Sequence, residues 1–369
     1  MSSRKLPVKL IDNFQVSFFY YFPLSCINAY TEYQDWYYMN YIDIIGVSRK
    51  LNRRDQQFMN YDIRYPDGES YFSRRVSSNS MIMFDEYDLD LICIKEGIIS
   101  FIKKNIDMDK YIILYINMSR LESIDDQNLS IHDIFVYGYD DIAKTISIGS
   151  MINRKYTLFE VSYKSIEKGF EDYISYVSDV KGKKKILITF YLTNSIAALD
   201  PNDMHCFVKP EYRVDSLLNK INSYINGKIS CGDMIISDKQ NINSLYSGIE
   251  SYHLFCEYLY ELMYGQVQTT GNSHGGFDSY DFMLPFYYVN HKKGLLERLD
   301  YAYVKTGKSM YKKIAEEYKI VETKMNIINN KHMKLHIMDT NITNKIYDEF
   351  NFMIEDVKKE EKDILCKLF

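Results

Sequence analysis

The 369-residue sequence predicts an α+β fold with a mixed N-terminal half and a mainly helical C-terminal half. Strand-like runs gather between residues 111 and 192 and fade beyond about residue 200. Past that point, apolar residues recur at spacings of three and four, the period of a helix face. The composition, 46% hydrophobic and 26% charged, is that of a globular chain able to bury a sizeable core. Length suggests about two domains, and the change of character places them at 1–195 and 196–369.

The elements follow in order. From Cys26, the residues Ile27, Tyr30, Tyr33, Tyr37, Tyr41 and Ile44 trace one helix face, with Ser25 in the N-cap place. A second helix is expected over 88–104. Strands are expected over 111–118, 133–139, 145–148 and 156–161, then a helix over 162–176, a basic turn at 181–185 and a strand over 186–192. The second half reads as helices over 212–226, 242–264 and 290–305, with a Gly-rich loop at 265–276. Two long amphipathic helices close the chain. One carries Met310, Ile314, Val321, Met325 and Ile328, the other Ile342, Ile346, Phe350, Met353 and Val357. They read as an antiparallel pair around a break at 337–341; the same two faces could also support a dimer, and the oligomeric state stays open.

The net charge of −5 lacks the basic footprint of a nucleic-acid binder. No apolar run approaches the roughly 18 residues that suggest a membrane span. The apolar stretch at 16–24 lacks the cleavage site of a signal peptide. The cysteines at 26, 93, 206, 231, 256 and 366 show no CxxC spacing, so reduced thiols and a cytoplasmic location are expected. The 35 tyrosines read first as compositional drift and second as amphipathic packing material.

The chemistry is carried by two residues. Cys26, at the expected start of a helix, would have its thiolate stabilised by the positive helix end. His132 opens a strand, Ile131-His132-Asp133-Ile134-Phe135-Val136-Tyr137-Gly138-Tyr139, followed by an Asp-Asp turn. An early helix-borne Cys and a later strand-borne His match the nucleophile and general base of papain-like enzymes. The His-to-Gly-Tyr-Asp-Asp segment, then Lys155-Tyr156 and Val161-Ser162-Tyr163, resembles the N-terminal domain of the butirosin biosynthesis protein H family. Gly248-Ile249-Glu250-Ser251-Tyr252, His291-Lys292-Lys293 and Arg298-Leu299-Asp300-Tyr301 resemble its helical part.

That resemblance implies a papain-like cysteine protease fold in the N-terminal half and an acyltransferase activity. An acyl or peptidyl group would pass from the phosphopantetheine thioester of a carrier protein, through Cys26, to a small amine such as a diamine, in thiotemplated, nonribosomal antibiotic biosynthesis. The chain itself would need no cofactor or metal, and its partners would be the acyl or peptidyl carrier protein and the amine. In the family pattern an Asp follows the second strand; here Ser150 stands in that place, with Asn153 as the second choice for orienting His132. The oxyanion hole would use the Cys26 backbone N–H and a side chain upstream, Tyr20 by spacing, with Tyr21 and Gln15 as alternatives. A cysteine peptidase or thioesterase with the same dyad, and a non-catalytic carrier-binding module, remain the competing readings. His332 and His336 at i, i+4 read as a solvated helix face, and His253 with Cys256 as packing. His274, in the Gly-rich loop, has an alternative reading as part of a flap.

Overall fold

The run Tyr111–Asn117 (β5) is apolar on both faces, and the structure buries it in the middle of a seven-stranded antiparallel sheet. The computed structural model describes residues 3–11, 18–40, 42–53, 56–64, 82–88, 96–121, 130–152, 155–178, 186–192, 211–228, 242–264, 284–338 and 342–369. The chain is mixed α/β and divides into two compact units. The first comprises residues 1–11, 17–33 and 74–209; the second comprises 12–16, 34–73 and 210–369. Residues 34–73 of the N-terminal half thus belong with the helical unit.

The sheet of the first unit also holds β1 (Ser3–Lys5), β4 (Ile82–Asp88), β6 (Ile131–Asp140), β7 (Thr145–Ile152), β8 (Lys155–Ser162) and β9 (Ile186–Leu192). Its order is β4-β9-β5-β6-β7-β8, with β1 on the far end of β6. One face is covered by α1 (Phe18–Asn28): Phe22 stacks on Phe135 at 4.6 Å and Tyr21 on Tyr156 at 3.8 Å. Gly149 makes this fit possible, since a Cβ there would stand 2.4 Å from the Phe22 ring. The opposite face meets the helix Tyr163–Ser178, whose Ile166, Phe170, Tyr173 and Val177 are buried at helical spacing. Its Gly169 lies against Ile116. The helix Ile98–Asp107 buries Phe101, Ile102 and Ile106 in the same way.

In the second unit β2 (Ile45–Arg53) and β3 (Gln56–Arg64) form a hairpin, with β10 (Ile242–Ser247) on the other side of β2. Around them come α2 (Gln34–Met39) and, with the two first-unit helices counted as α3 (Ile98–Asp107) and α4 (Tyr163–Ser178), the helices α5 (Val214–Ile225), α6 (Tyr252–Met263), α7 (Leu284–Thr306), α8 (Ser309–Ile337) and α9 (Asn344–Leu365). The ion pairs Lys331–Glu349, Lys324–Asp356 and Lys367–Glu317 run in opposite sequence directions along α8 and along α9 with the turn that follows it, so these two helices are antiparallel as expected.

Three expectations about the helices fail. The helix drawn from Cys26 to Ile44 is in fact the end of α1, a 3₁₀ turn (Thr31–Tyr33) and the short α2. Three short pieces reproduce the spacing of one long helix. Ser25 does not cap anything: its hydroxyl donates back to the Tyr21 carbonyl at 2.8 Å, one turn earlier. The expected helix over 242–264 begins as strand β10 and becomes helical only at Tyr252. Of the helix expected over 88–104, residue 88 ends β4, residues 89–95 lie outside the described residues and α3 starts at Ile98. The loop at 265–276, with His274, and the turn at 181–185 also lie outside the described residues.

Candidate functional site

His132 is the second residue of β6 and faces Ile116 across the ladder with β5. The start of this strand is pinned from outside. The Asn117 carboxamide oxygen accepts from the Ser130 backbone N–H at 3.1 Å, and its NH₂ donates to Asp172 at 2.7 Å. Arg120 donates to the same carboxylate at 2.6 Å. With its backbone held, the imidazole leans along the strand so that Nδ1–H meets the Asp133 carboxylate at 2.6 Å. Asp133 itself is nearly buried, whereas 48% of the imidazole side chain is exposed. The bond to Asp133 raises the His132 pKa, and burial opposes it in part. Among the described residues Nε2 has no partner. A held, half-exposed imidazole with one nitrogen unclaimed is equipped to take and return a proton.

Cys26 lies in the last turn of α1, not at its start. There the helix end is negative and works against a thiolate. The residue is fully buried, and burial pushes the thiol pKa well up, with a hydrogen bond to the Tyr111 hydroxyl opposing it. Tyr111 in turn donates to the Pro7 carbonyl at 2.7 Å. The thiol is neutral and enclosed.

The structure does not bring Cys26 and His132 together. Tyr111, which meets the thiol, stacks on Phe135 on the α1 face of the sheet. His132 alternates with Phe135 along β6 and shares its rung with Ile116, on the face that α4 covers. The two groups also sit toward opposite ends of the ladder. Ile112, next to Tyr111, pairs with Val136, four rungs from the Ile116–His132 rung, roughly 13 Å along the strand. Neither group has a described interaction with the other.

Ser150 is not the third member either. It pairs with Thr157, is almost fully buried, and its hydroxyl has no hydrogen-bond partner among the described residues. Asp133 does what Ser150 was expected to do, because an imidazole at a strand's open end can reach the side chain of the next residue. The signal was in the sequence as His132-Asp133, but strand neighbours normally point to opposite faces. Asn153 and Gln15 lie outside the described residues, and Tyr20 is on α1 with its side chain outside them. Tyr21 is no oxyanion donor, since its hydroxyl donates to the Ile11 carbonyl at 3.2 Å.

The discounted residues find definite places. His332 is buried against Phe255, Tyr258 and Phe350, which corrects the expectation of a solvated face. Cys256 packs beside Asn351, while His253 bonds Glu250. Among the described residues no group of three or more His, Cys, Asp or Glu could hold a metal ion, and no helix is long and apolar enough to cross a membrane. The helical motifs Gly248–Tyr252 and His291-Lys292 converge in the second unit, where Tyr252 and Lys292 both bond Glu361. No family model matches the chain, and no curated protein matches it either.

Proposed function

We propose that the chain is a papain-related acyltransferase in which an amine attacks a carrier-bound thioester directly, with His132 as general base and Asp133 orienting it. The observation that carries this reading is the His132–Asp133 pair, with Nδ1 held at 2.6 Å and Nε2 unclaimed among the described residues. The amine nitrogen adds to the thioester carbonyl, and its proton passes to Nε2. The carbon–sulfur bond then breaks, and the imidazolium returns the proton to the departing carrier thiolate. The products are an amide and the free carrier thiol. No acyl group rests on Cys26, so no enzyme-bound thioester is exposed to water. A positioned base of this kind contributes about 10²–10⁴-fold.

The donor and acceptor classes come from the sequence resemblance, and the six cysteines suit a reducing compartment. The site geometry supports the base and argues against the nucleophile. A second reading is favoured by the enclosed thiol: a papain-like module that binds the carrier protein without turning it over.

Mass analysis of a thioester-loaded carrier mixed with amines, with and without the chain, tests both. The Cys26→Ala variant is expected to keep amide formation, and His132→Ala to lose about 10²–10⁴-fold. An acyl mass on wild-type Cys26, together with an inactive Cys26→Ala variant, would restore the covalent mechanism. Carrier binding with no amide at all would select the binding module.

A further inference from the structure

The second unit holds a charged cluster that the proposed reaction does not use. Lys292 of α7 and Glu361 of α9 are both completely buried and bond at 2.8 Å. Tyr224 of α5 and Tyr252 of α6 donate to the same carboxylate at 3.1 and 2.8 Å, and Tyr318 of α8 donates to it as well. Side chains from four helices, α5, α6, α7 and α8, thus meet at Glu361 of α9.

His291 is attached to this cluster in a particular way. Its Nε2 stands 2.6 Å from the carbonyl oxygen of Ile42, which can only accept, so Nε2 carries the hydrogen. Its Nδ1 stands 3.0 Å from the Lys292 ammonium, which can only donate, so Nδ1 offers its lone pair. Both contacts require the neutral ring. Residues 42–44 lead directly into β2, and the Ile44 carbonyl accepts from Gly248 N–H at 2.8 Å. The imidazole therefore fastens this strand entry to α7.

We propose that His291 and Lys292 form an acid-released latch, in which the neutral imidazole bridges the lysine ammonium and the Ile42 carbonyl and a proton on Nδ1 breaks the bridge. A second N–H would point at an ammonium 3.0 Å away, inside a region closed to water. Among the described residues, the charged groups around the ring do not rescue it. Lys292 and Arg298, on its own helix, both disfavour the imidazolium. Glu361 of α9 is already claimed by Lys292 and three phenols, Tyr224 packs its ring 4.9 Å away, and Tyr252 and Tyr318 are turned to Glu361. Asp43, buried beside Ile42, is the one further carboxylate on the segment.

Burial and Lys292 hold the folded His291 pKa well below 6.5. Stability from the latch is therefore complete above about pH 6.5 and declines as the pH falls below it. Each pH unit in that window costs the unit up to about tenfold in its folding equilibrium.

Trp36, the single tryptophan, lies in this unit and reports its unfolding by fluorescence. Urea unfolding of the full chain is to be followed between pH 7.5 and 5. The wild type should weaken up to about tenfold per pH unit below 6.5. His291→Gln, a neutral amide, should flatten that dependence, and Asp43→Asn should leave it in place. Parallel pH dependences for wild type and His291→Gln, or a flat Asp43→Asn, would overturn the latch. Should His291→Gln fail to fold, NMR of the native chain decides. A His291 ring that titrates near 6.5 while Trp36 still reads folded overturns the proposal, and one that stays neutral until the unit opens sustains it.

Discussion

His132–Asp133 in the first unit and Lys292–Glu361 in the second are both close nitrogen–carboxylate pairs, at 2.6 and 2.8 Å, yet they are built for opposite ends. The first sits at the open start of a strand, half exposed, with one ring nitrogen unclaimed among the described residues. The second is sealed, and both carboxylate oxygens are taken by an ammonium and three phenols. Reactivity needs an uncommitted atom at a surface; architecture needs every atom committed. Cys26 falls on the architectural side of this division, since its thiol is enclosed and bonded to Tyr111.

The largest effect should come from breaking the sealed pair. Glu361→Ala would strand a buried ammonium and three phenols, at a cost of about 3–5 kcal/mol to the second unit. Replacing both partners with apolar residues, Lys292→Met with Glu361→Leu, should cost far less, because no charge is left unpaired. Urea unfolding read by Trp36 measures both. A loss below about 1 kcal/mol for Glu361→Ala, the range of an exposed pair, would erase the contrast between the two pairs.

Thiol chemistry sharpens the same contrast without a substitution. Cys366 is exposed, whereas Cys26 is buried with its pKa pushed well up. Iodoacetamide at neutral pH should label Cys366 in the folded chain and reach Cys26 only on unfolding, as peptide mass mapping would show. Rapid labelling of Cys26 in the native state would mean an available thiolate and would return Cys26 to the candidate site.

Much of the architecture was legible because long elements repeat their signal. The strands around 111–118 and 133–139, the helix at 162–176 and the terminal helix pair all appear where the periodicity puts them. The failures have a common physical origin in short elements. Tyr30, Tyr33 and Tyr37 keep helical spacing across a helix end, a 3₁₀ turn and a new helix, so nothing in the letters marks the breaks. Pro23, a residue that normally precedes or opens a helix, sits inside α1. That displaced the helix start and placed Cys26 at the wrong end of the dipole. Strand β10 is six residues long and half polar, and it merges with the helix that follows. At the site, His132 was legible from its place at a strand mouth. Asp133 was not, because the partner is chosen by how the imidazole leans at the strand end, which no spacing rule records.

The smallest of these effects, and the most diagnostic for the exposed pair, is expected from Asp133→Asn. The carboxylate does two things to His132: it fixes Nδ1–H toward itself, leaving Nε2 as the base, and it raises the imidazole pKa. A base must be neutral to accept a proton, so the ascending limb of the pH–rate profile follows the raised pKa. Without the carboxylate that pKa falls back toward the ordinary histidine value, and the limb should move to lower pH. The plateau should fall at the same time, by about ten- to a hundredfold, because the neutral amide no longer stabilises the imidazolium. A merely structural Asp133 would lower the amount of folded protein and leave the limb in place. Amide formation from a thioester-loaded carrier, followed from pH 5 to 9 in both proteins, separates the two. An unmoved limb would leave His132 as an exposed histidine beside a carboxylate and remove the proposed base.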